Sequence, residues 1–198
     1  MTTATRLPAA ERRLALVEAA IRVFTDGSYR GTTTAEIARA AGVSEPILYR
    51  HFASKRDRYL AALDHVWSEA RTRWEEAIAA APDIGGALAS MTRAHVSVRD
   101  CKYQLAELWV QALSEAAEDP ELRRHLRRHM REVHGFMAGV IRRGQEQGVL
   151  HGDRDPDAEA WIFLAGGILG MVGRRVGLLG EPEIASIRSA RLEWLTGS

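Results

Sequence analysis

The sequence lacks most features that mark secreted, membrane-spanning or β-structured proteins. Its single cysteine, Cys101, excludes an intrachain disulfide framework and fits a reducing compartment. The most apolar run, residues 160–172, is shorter than the ~20 residues that a bilayer requires, and no signal peptide is visible. No strand-like alternation rises above the helical periods. We therefore expect an all-α protein of the cytoplasm with no membrane partner.

The signatures of common enzymes are also missing. The chain has no paired-carboxylate motif, nucleophile elbow or nucleotide-binding loop. His125, His129 and Glu132 are spaced like metal ligands, but neighbouring arginines would repel a cation and no further ligand follows at a known spacing. We interpret this segment as a solvated basic face, and we expect no catalytic residue, metal or cofactor. The arginines are Arg123, Arg124, Arg127, Arg128 and Arg131.

Charge is nearly balanced overall but unevenly distributed. The 198 residues carry a formal net charge of +1. Residues 1–58 contain 10 Lys and Arg against 6 Asp and Glu, whereas residues 59–198 contain 17 against 20. This distribution is typical of a protein in which the first segment contacts nucleic acid and the second does not.

The stretch from Gly27 to Lys55 predicts two short helices joined by a tight turn. Gly42 can end the first helix in the left-handed conformation without a side-chain penalty. Ser44 is placed to cap the second helix, and Leu48 and Phe52, four residues apart, give that helix an apolar side. Two helices joined by a short glycine-containing turn form the geometry that sets the second helix into the DNA major groove.

An amphipathic helix precedes this pair. Leu14, Val17, Ile21 and Phe24 recur at helical spacing and predict a helix over about residues 10–25. We expect it to pack with the helix pair as a three-helix head.

The outward residues of the helix pair suit contact with DNA. Thr33 and Thr34 begin the first helix, where free N–H groups and the helix dipole favour a phosphate. Tyr49, His51 and Lys55 are donors suited to phosphate oxygens. The predicted DNA-binding set is completed by residues at or near the start of the second helix, where base edges are usually read: Ser44, Glu45, Pro46, Ile47 and Arg50.

The pattern Thr-Thr, Ile-Ala, Ala-Gly-Val-Ser, Leu-Tyr, His-Phe, Ser-Lys over roughly residues 11–60 resembles the TetR family of bacterial transcriptional repressors. The resemblance implies a helix-turn-helix DNA-binding domain, which we assign to residues 9–56, and a helical ligand-binding and dimerisation domain over residues 57–198. It also implies that a long helix, predicted from Ser54 to about Ala81, links the two. Arg58 departs from the family, which has an apolar residue there, so the resemblance does not predict how this helix start packs.

The last two predicted helices indicate self-association. Residues 161–172 are apolar on every side and must be covered on every side, most simply by a second copy of the chain. We expect a two-fold, four-helix dimer interface, which the resemblance also implies. Its predicted residues are Ile162, Gly166, Leu169, Gly170, Gly173, Ile187, Arg191 and Trp194.

A small-molecule effector is implied by the resemblance, and five tryptophans suggest that it is mainly apolar. Each candidate pocket residue is also explained as ordinary core. The candidates are Trp67, Trp74, Met91, His95, Trp109, Met137, Trp161 and Phe163.

The sequence therefore predicts a homodimeric, ligand-responsive repressor with no enzymatic activity, whose partners are a near-palindromic double-stranded DNA operator and a small molecule. Two alternatives remain, an enzyme and a helical interaction module in which the helix pair only packs. Donors on the side opposite Leu48 and Phe52 favour DNA binding over a helix pair that only packs, and the missing catalytic motifs count against an enzyme.

Overall fold

The computed structural model describes residues 8–94 and 101–197, and regular secondary structure in these two ranges is entirely helical. The prediction of an all-α fold is confirmed. The nine helices described are α1 (Ala9–Asp26), α2 (Thr34–Ala40), α3 (Glu45–His51), α4 (Lys55–Ala80), α5 (Ile84–Ala94), α6 (Cys101–Ala116), α7 (Pro120–Glu146), α8 (Pro156–Arg175) and α9 (Glu181–Thr196).

Helices α1 to α3 form a head around a shared apolar core. Phe24, Ile37 and Leu48 are fully buried there. Leu14, expected on the inner side of α1, is instead 43% exposed, and Leu16 is buried. The reason is that α1 packs against α2, α4 and α6 together. The side chains that it buries are therefore not confined to a single stripe.

Helix α4 joins the head to the body. The Ser54 side chain caps it by accepting a hydrogen bond from the Asp57 N–H at 3.0 Å. α4 packs on α1 and also on α5, α6 and α7. The buried ring of Tyr59 meets Phe24 edge to face at 4.8 Å, and its hydroxyl donates to the Leu108 carbonyl of α6. The head therefore contacts the body through buried side chains as well as through the covalent connection along α4.

Helix α7 begins as the sequence predicts but differs in what it buries. Asp119 accepts hydrogen bonds from the N–H groups of Glu121 and Leu122. The expectation of a solvated basic face is wrong for His125 and His129, which are 9% and 1% exposed. Both lie on the inner side of the helix because they fall at the i+3 and i+7 positions from buried Leu122, whereas the five arginines are exposed.

The two histidines are bound differently. The His125 Nε2 atom lies 2.9 Å from Asp64 Oδ1. The Trp109 indole N–H donates to His129 Nδ1 at 3.1 Å, so the imidazole proton is on Nε2, which donates to the Leu63 carbonyl at 3.2 Å. Burial lowers the pKa of His129 to about 4. This side chain is a neutral core residue at pH 7.

Helices α8 and α9 form an outer layer with an unusual surface. Their inward side chains include buried Leu164, Met171 and Ile184. Their outer side carries large apolar residues that are more than a third exposed, namely Trp161, Ile162, Leu169, Val172, Ile187 and Trp194, with Val176 and Leu178 in the turn between them. We call this outer side the α8–α9 face. None of the helices in the described ranges is long and apolar enough to cross a bilayer.

Candidate DNA-binding face and ligand cavity

The turn between α2 and α3 has the geometry that the sequence predicts. Gly42 has a φ of +66°, in the left-handed region that favours glycine. Ser44 occupies the cap position of α3 in an extended conformation, but its side chain makes no capping hydrogen bond, contrary to expectation. Its exposed hydroxyl therefore remains on the surface.

One side of α3 is open to solvent. Leu48 and Phe52 are buried on the other side, and Tyr49 is 53% exposed. Ile47 and His51 are half-buried. Exposed positions of the predicted DNA-binding set also include Ser44, Glu45, Pro46 and Arg50. We call this open side of α3 the α3 face.

The side chain of Thr33 forms the N-terminal cap of α2. Its hydroxyl accepts from the Glu36 N–H at 3.2 Å and donates to Glu36 Oε2 at 2.9 Å, while the Thr33 N–H bonds the same oxygen at 2.8 Å. These hydrogen bonds, those from the backbone first, lower the pKa of Glu36. Because this capping box occupies both Thr33 donors and places a carboxylate beside them, phosphate binding would require it to open.

Lys55 is folded back onto the head. Its Nζ donates to the Arg30 carbonyl at 3.0 Å and lies 5.0 Å from the centroid of the Tyr29 ring. Burial lowers its pKa, against the opposing effect of Glu115. The ammonium group is therefore held at the edge of the α3 face and not extended from it.

Arg58, for which the sequence predicted no role, is the largest fully buried side chain in the described residues. Its Nη2 donates to Thr34 Oγ1 at 2.9 Å, and its guanidinium carbon lies 5.3 Å from the centroid of the Tyr49 ring. The only sequence signal was the departure of this position from the family pattern. Two residues of the predicted DNA-binding set, on two helices, thus share one buried cation.

Ion pairs connect the head to the α6–α7 turn. Arg30 pairs with Glu115 at 2.9 Å, and Arg56 pairs with Asp119 at 3.0 Å and with Glu121 at 2.5 Å. Asp119 is also the cap of α7, and the hydrogen bonds it accepts, from Leu122 first and then Arg56, lower its pKa. Surface pairs of this kind contribute little stability, but they show where the head and the α6–α7 turn lie against each other.

A cavity of about 520 Å³ lies between α8 and α9 and reaches inward to α4, α5, α6 and α7. Of the predicted pocket residues, Trp74, Trp109 and Phe163 line it. The predicted pocket residues Trp67 and Met137 are buried core side chains that do not line it, and Trp161 is 48% exposed on the surface. Trp161 lies against the imidazole of His134 with ring centroids 4.2 Å apart. His95 and the side chain of Met91 lie outside the described part.

The cavity wall is mainly apolar, and its only charged residues among those described are Arg188 and Arg191. Behind it the rings of Trp67, Trp74, Phe136 and Phe163 pack with neighbouring centroids 5.7 to 5.8 Å apart. Seven residues that the sequence predicts for the dimer interface also line the cavity: Ile162, Gly166, Leu169, Gly170, Ile187, Arg191 and Trp194.

Two of the predicted interface residues also have contacts within their own chain. Gly173 is buried under Leu179, whose Cδ1 would be 2.6 Å from any added Cβ, so its missing side chain has an internal reason. Arg191 pairs with buried Glu159, which also accepts from the Trp194 indole at 3.2 Å. Within the described residues, no group of three or more His, Cys, Asp or Glu side chains is arranged to hold a metal ion.

Two protein-family models match the chain. The model for bacterial regulatory proteins of the tetR family matches residues 16–62, and the model for the C-terminal part of BetI-type transcriptional repressors matches residues 86–166. The chain belongs to the TetR family. The helix-turn-helix of this family corresponds to α2 and α3, which lie within the first match.

Individual relatives of this TetR-family chain match it in part. The transcriptional activator FasR of Mycolicibacterium smegmatis is 53% identical over 58 residues, which is 29% of this chain and 26% of FasR. The regulator BetI of Rhizobium meliloti is 31% identical over 115 residues, 58% of this chain and 57% of BetI. The matches thus span less than two thirds of either relative.

Solved structures match over nearly the whole length. A TetR-family regulator from Rhodococcus sp. has a TM-score of 0.81 at 21% identity, covering 94% of this chain and 99% of that one. A Saccharomonospora viridis regulator bound to choline has a TM-score of 0.76 at 23% identity, covering 93% and 95%. Bacillus subtilis FadR bound to stearoyl-CoA has 0.74 at 18%, covering 92% and 97%. At these identities the likeness shows a shared fold.

Proposed function

We propose that this TetR-family chain is a ligand-responsive repressor that binds a near-palindromic DNA operator as a homodimer and releases it when a small, mainly apolar molecule binds. The observation that carries the proposal is the α3 face, where Tyr49 and Arg50 stand exposed on a helix whose opposite side is buried. A short helix so anchored has one side available for the major groove.

The roles within the α3 face follow from the chemistry of its side chains. Arg50 has the bidentate donors that distinguish guanine, so we assign it to base reading. Tyr49, His51 and Lys55 are donors suited to phosphates, which fix position without reading sequence. Thr34 joins them from α2. The head, taken as residues 9–56, is the DNA-binding domain in this proposal, and the protein acts in the cytoplasm, where bacterial DNA lies.

The homodimer is supported by the α8–α9 face. Leu169 and Trp194 are 54% and 49% exposed there, and monomeric proteins rarely leave such residues together in one patch. Two copies related by a two-fold axis would bury both patches against each other. Each copy would then supply one head, as a near-palindrome with half-sites ~34–36 Å apart requires.

The effector site in this proposal is the cavity of about 520 Å³, which has the size and apolar lining of small-molecule pockets. The S. viridis neighbour binds choline and FadR binds stearoyl-CoA, so this fold accommodates very different ligands. Aromatic Trp74, Trp109 and Phe163 favour an apolar body for the ligand here. Because the cavity opens onto the α8–α9 face, the second copy would also close it.

Coupling between the cavity and DNA runs through α4 and the α6–α7 turn. Trp74 of α4 lines the cavity, while Arg56 at the start of the same helix is tied to Asp119. A ligand that prefers a tilted α4 would move the head away from its groove. A 100-fold preference for the released arrangement corresponds to about 2.7 kcal/mol of coupling.

An electrophoretic mobility shift with the DNA upstream of the chain's own gene tests the proposal. The wild-type protein should retard this fragment at nanomolar concentrations in competition with excess unrelated DNA, and reporter transcription from it should rise when the gene is deleted. Transcription that falls on deletion would make the protein an activator, like FasR, and would overturn the repressor assignment. Absence of any shift would count against operator binding itself.

A further inference from the structure

We propose that Arg58 is a positioning residue for DNA binding, which sets the Thr34 hydroxyl and the Tyr49 ring in the orientation in which they meet the DNA backbone. This inference rests on the function proposed above, because it concerns the same α3 face.

The energetics of Arg58 are unfavourable for a purely structural residue. The side chain is 1% exposed, and its Nε and Nη1 groups have no hydrogen-bond partner in the described part of the chain. An arginine stays charged in proteins, and buried unpaired N–H groups lower stability. An apolar residue would fill the same position without that penalty. The guanidinium therefore has a use other than holding the head together.

The contact with Thr34 leaves a donor available. Guanidinium nitrogens only donate, so Thr34 Oγ1 acts as the acceptor in its 2.9 Å bond to Arg58. The hydroxyl hydrogen of Thr34 then remains to donate to a phosphate oxygen. Thr33 is the reverse case, because its hydroxyl hydrogen is already given to Glu36. Of the two threonines at the start of α2, Thr34 is therefore the one whose hydroxyl hydrogen is available for a phosphate.

The contact with Tyr49 restrains an exposed ring. The Arg58 guanidinium lies 5.3 Å from the ring centroid, within the roughly 6 Å over which a cation attracts an aromatic face. With more than half of its surface in solvent, the Tyr49 ring has few other contacts to fix it. Holding the ring before DNA arrives lowers the entropy lost when its hydroxyl binds.

One side chain therefore ties the three helices that meet DNA. Thr34 is on α2, Tyr49 is on α3 and Arg58 is in the first turn of α4. Because α4 continues into the body, a movement of its start would release both DNA contacts together.

The test is a comparison of Arg58→Leu and Arg58→Lys with the wild-type chain. DNA affinity is measured by fluorescence anisotropy on the duplex that the wild type enriches from a random-sequence library, and stability by urea unfolding. Arg58→Leu should bind about tenfold more weakly, equivalent to ~1.4 kcal/mol, with an unfolding midpoint equal to or above wild type. Arg58→Lys, which can still donate to Thr34 but has no planar group for Tyr49, should recover part of the affinity.

A double-mutant cycle separates positioning from a general structural effect. Thr34→Val should weaken binding in the wild-type background but have little further effect beside Arg58→Leu, because the hydroxyl is no longer aligned. Equal affinity of Arg58→Leu and wild type, additive effects of the two changes, or affinity lost only in step with stability would each overturn the inference. If Arg58→Leu does not fold, Arg58→Lys and Thr34→Val form the cycle instead. A wild type that enriches no DNA overturns the proposed function, and the inference falls with it.

Discussion

The α3 face and the α8–α9 face are both exposed, but they expose opposite chemistry. The α3 face presents side chains such as Tyr49 and Arg50 above a fully buried Leu48. The α8–α9 face presents apolar surface, with Leu169 54% exposed and Leu178 72% exposed. DNA is charged and hydrated, so a protein binds it through a few hydrogen-bond donors at fixed positions. A second copy of the same chain is instead bound by burying apolar surface in a self-complementary interface. Substitutions on the α3 face should consequently impair DNA binding itself, whereas substitutions on the α8–α9 face should impair dimerisation.

The largest effect should come from placing a charge on the α8–α9 face. Leu169→Arg would bury an unpaired cation in the proposed dimer interface, so sedimentation equilibrium should show monomers at micromolar concentration. Operator affinity should fall by about a thousandfold, because two linked heads gain roughly 10²–10⁴ over one. The matched control is Leu113→Arg on α6, where the leucine is 53% exposed outside this face, and it should remain dimeric. A dimeric Leu169→Arg would show that the α8–α9 face is not the dimer interface, and a monomeric Leu113→Arg would show that the loss of dimers is not specific to that face.

Substitution of the buried side chain of His129 should alter the free energy of unfolding but neither DNA binding nor dimerisation. The folded pKa of His129 is about 4, below the 6.5 of an unstructured histidine. In that interval the unfolded chain binds a proton that the folded chain does not. The contribution of His129 to the free energy of unfolding is therefore fully present above pH 6.5 and is lost as the pH drops towards 4. The total loss is about 3 kcal/mol.

His129→Gln should remove this part of the pH dependence. Urea unfolding of the variant and wild type between neutral pH and about pH 4.5 measures it, since the difference between their slopes isolates one proton. Sequence selectivity of the variant at neutral pH should match wild type. Parallel slopes would mean that the histidine does not change protonation on unfolding.

On the α3 face, a single side chain should control selectivity. Arg50→Ala should reduce discrimination against single-base changes at one position of each half-site by about tenfold. Competition binding with a set of single-base variants of the selected duplex measures this. Arg143→Ala, which removes an exposed arginine from α7, is the charge-matched control. Unchanged discrimination in Arg50→Ala would remove Arg50 from the reading set.

The smallest effect should be that of a phosphate contact. Lys55→Ala should weaken binding severalfold and equally on the selected and on scrambled duplexes. It should also flatten the salt dependence of affinity by about one unit per head. Tyr49→Phe should likewise weaken binding on every sequence. Binding measured from low to moderate salt tests both, and a loss confined to the selected sequence would place Lys55 among the base contacts.

The features that the sequence predicts well are local. Gly42 and Asp119 mark a helix end and a helix start because a left-handed residue and a capping side chain act within a few positions. The spacing of Val17, Ile21 and Phe24 likewise predicts α1, since periodicity is a property of one helix.

The features that the sequence does not predict depend on distant neighbours. His129 is buried because Trp109 and Leu63 supply its hydrogen bonds from other helices. Arg58 meets Thr34, which is 24 residues away. Small and apolar residues on α8 predicted a contact with a second copy, yet the pattern could not show that Gly166 would also line a cavity, because an apolar side chain is equally compatible with a void and a partner.

The spacing of half-sites in the DNA that the wild-type chain selects shows whether two heads bind one operator side by side. Selection from a random duplex library, followed by hydroxyl-radical footprinting of the enriched sequence, gives both the symmetry and the spacing. We predict a near-palindrome protected in two adjacent major grooves about one helical turn, ~34–36 Å, apart. No enriched sequence, or a single protected half-site bound by one chain, would contradict it.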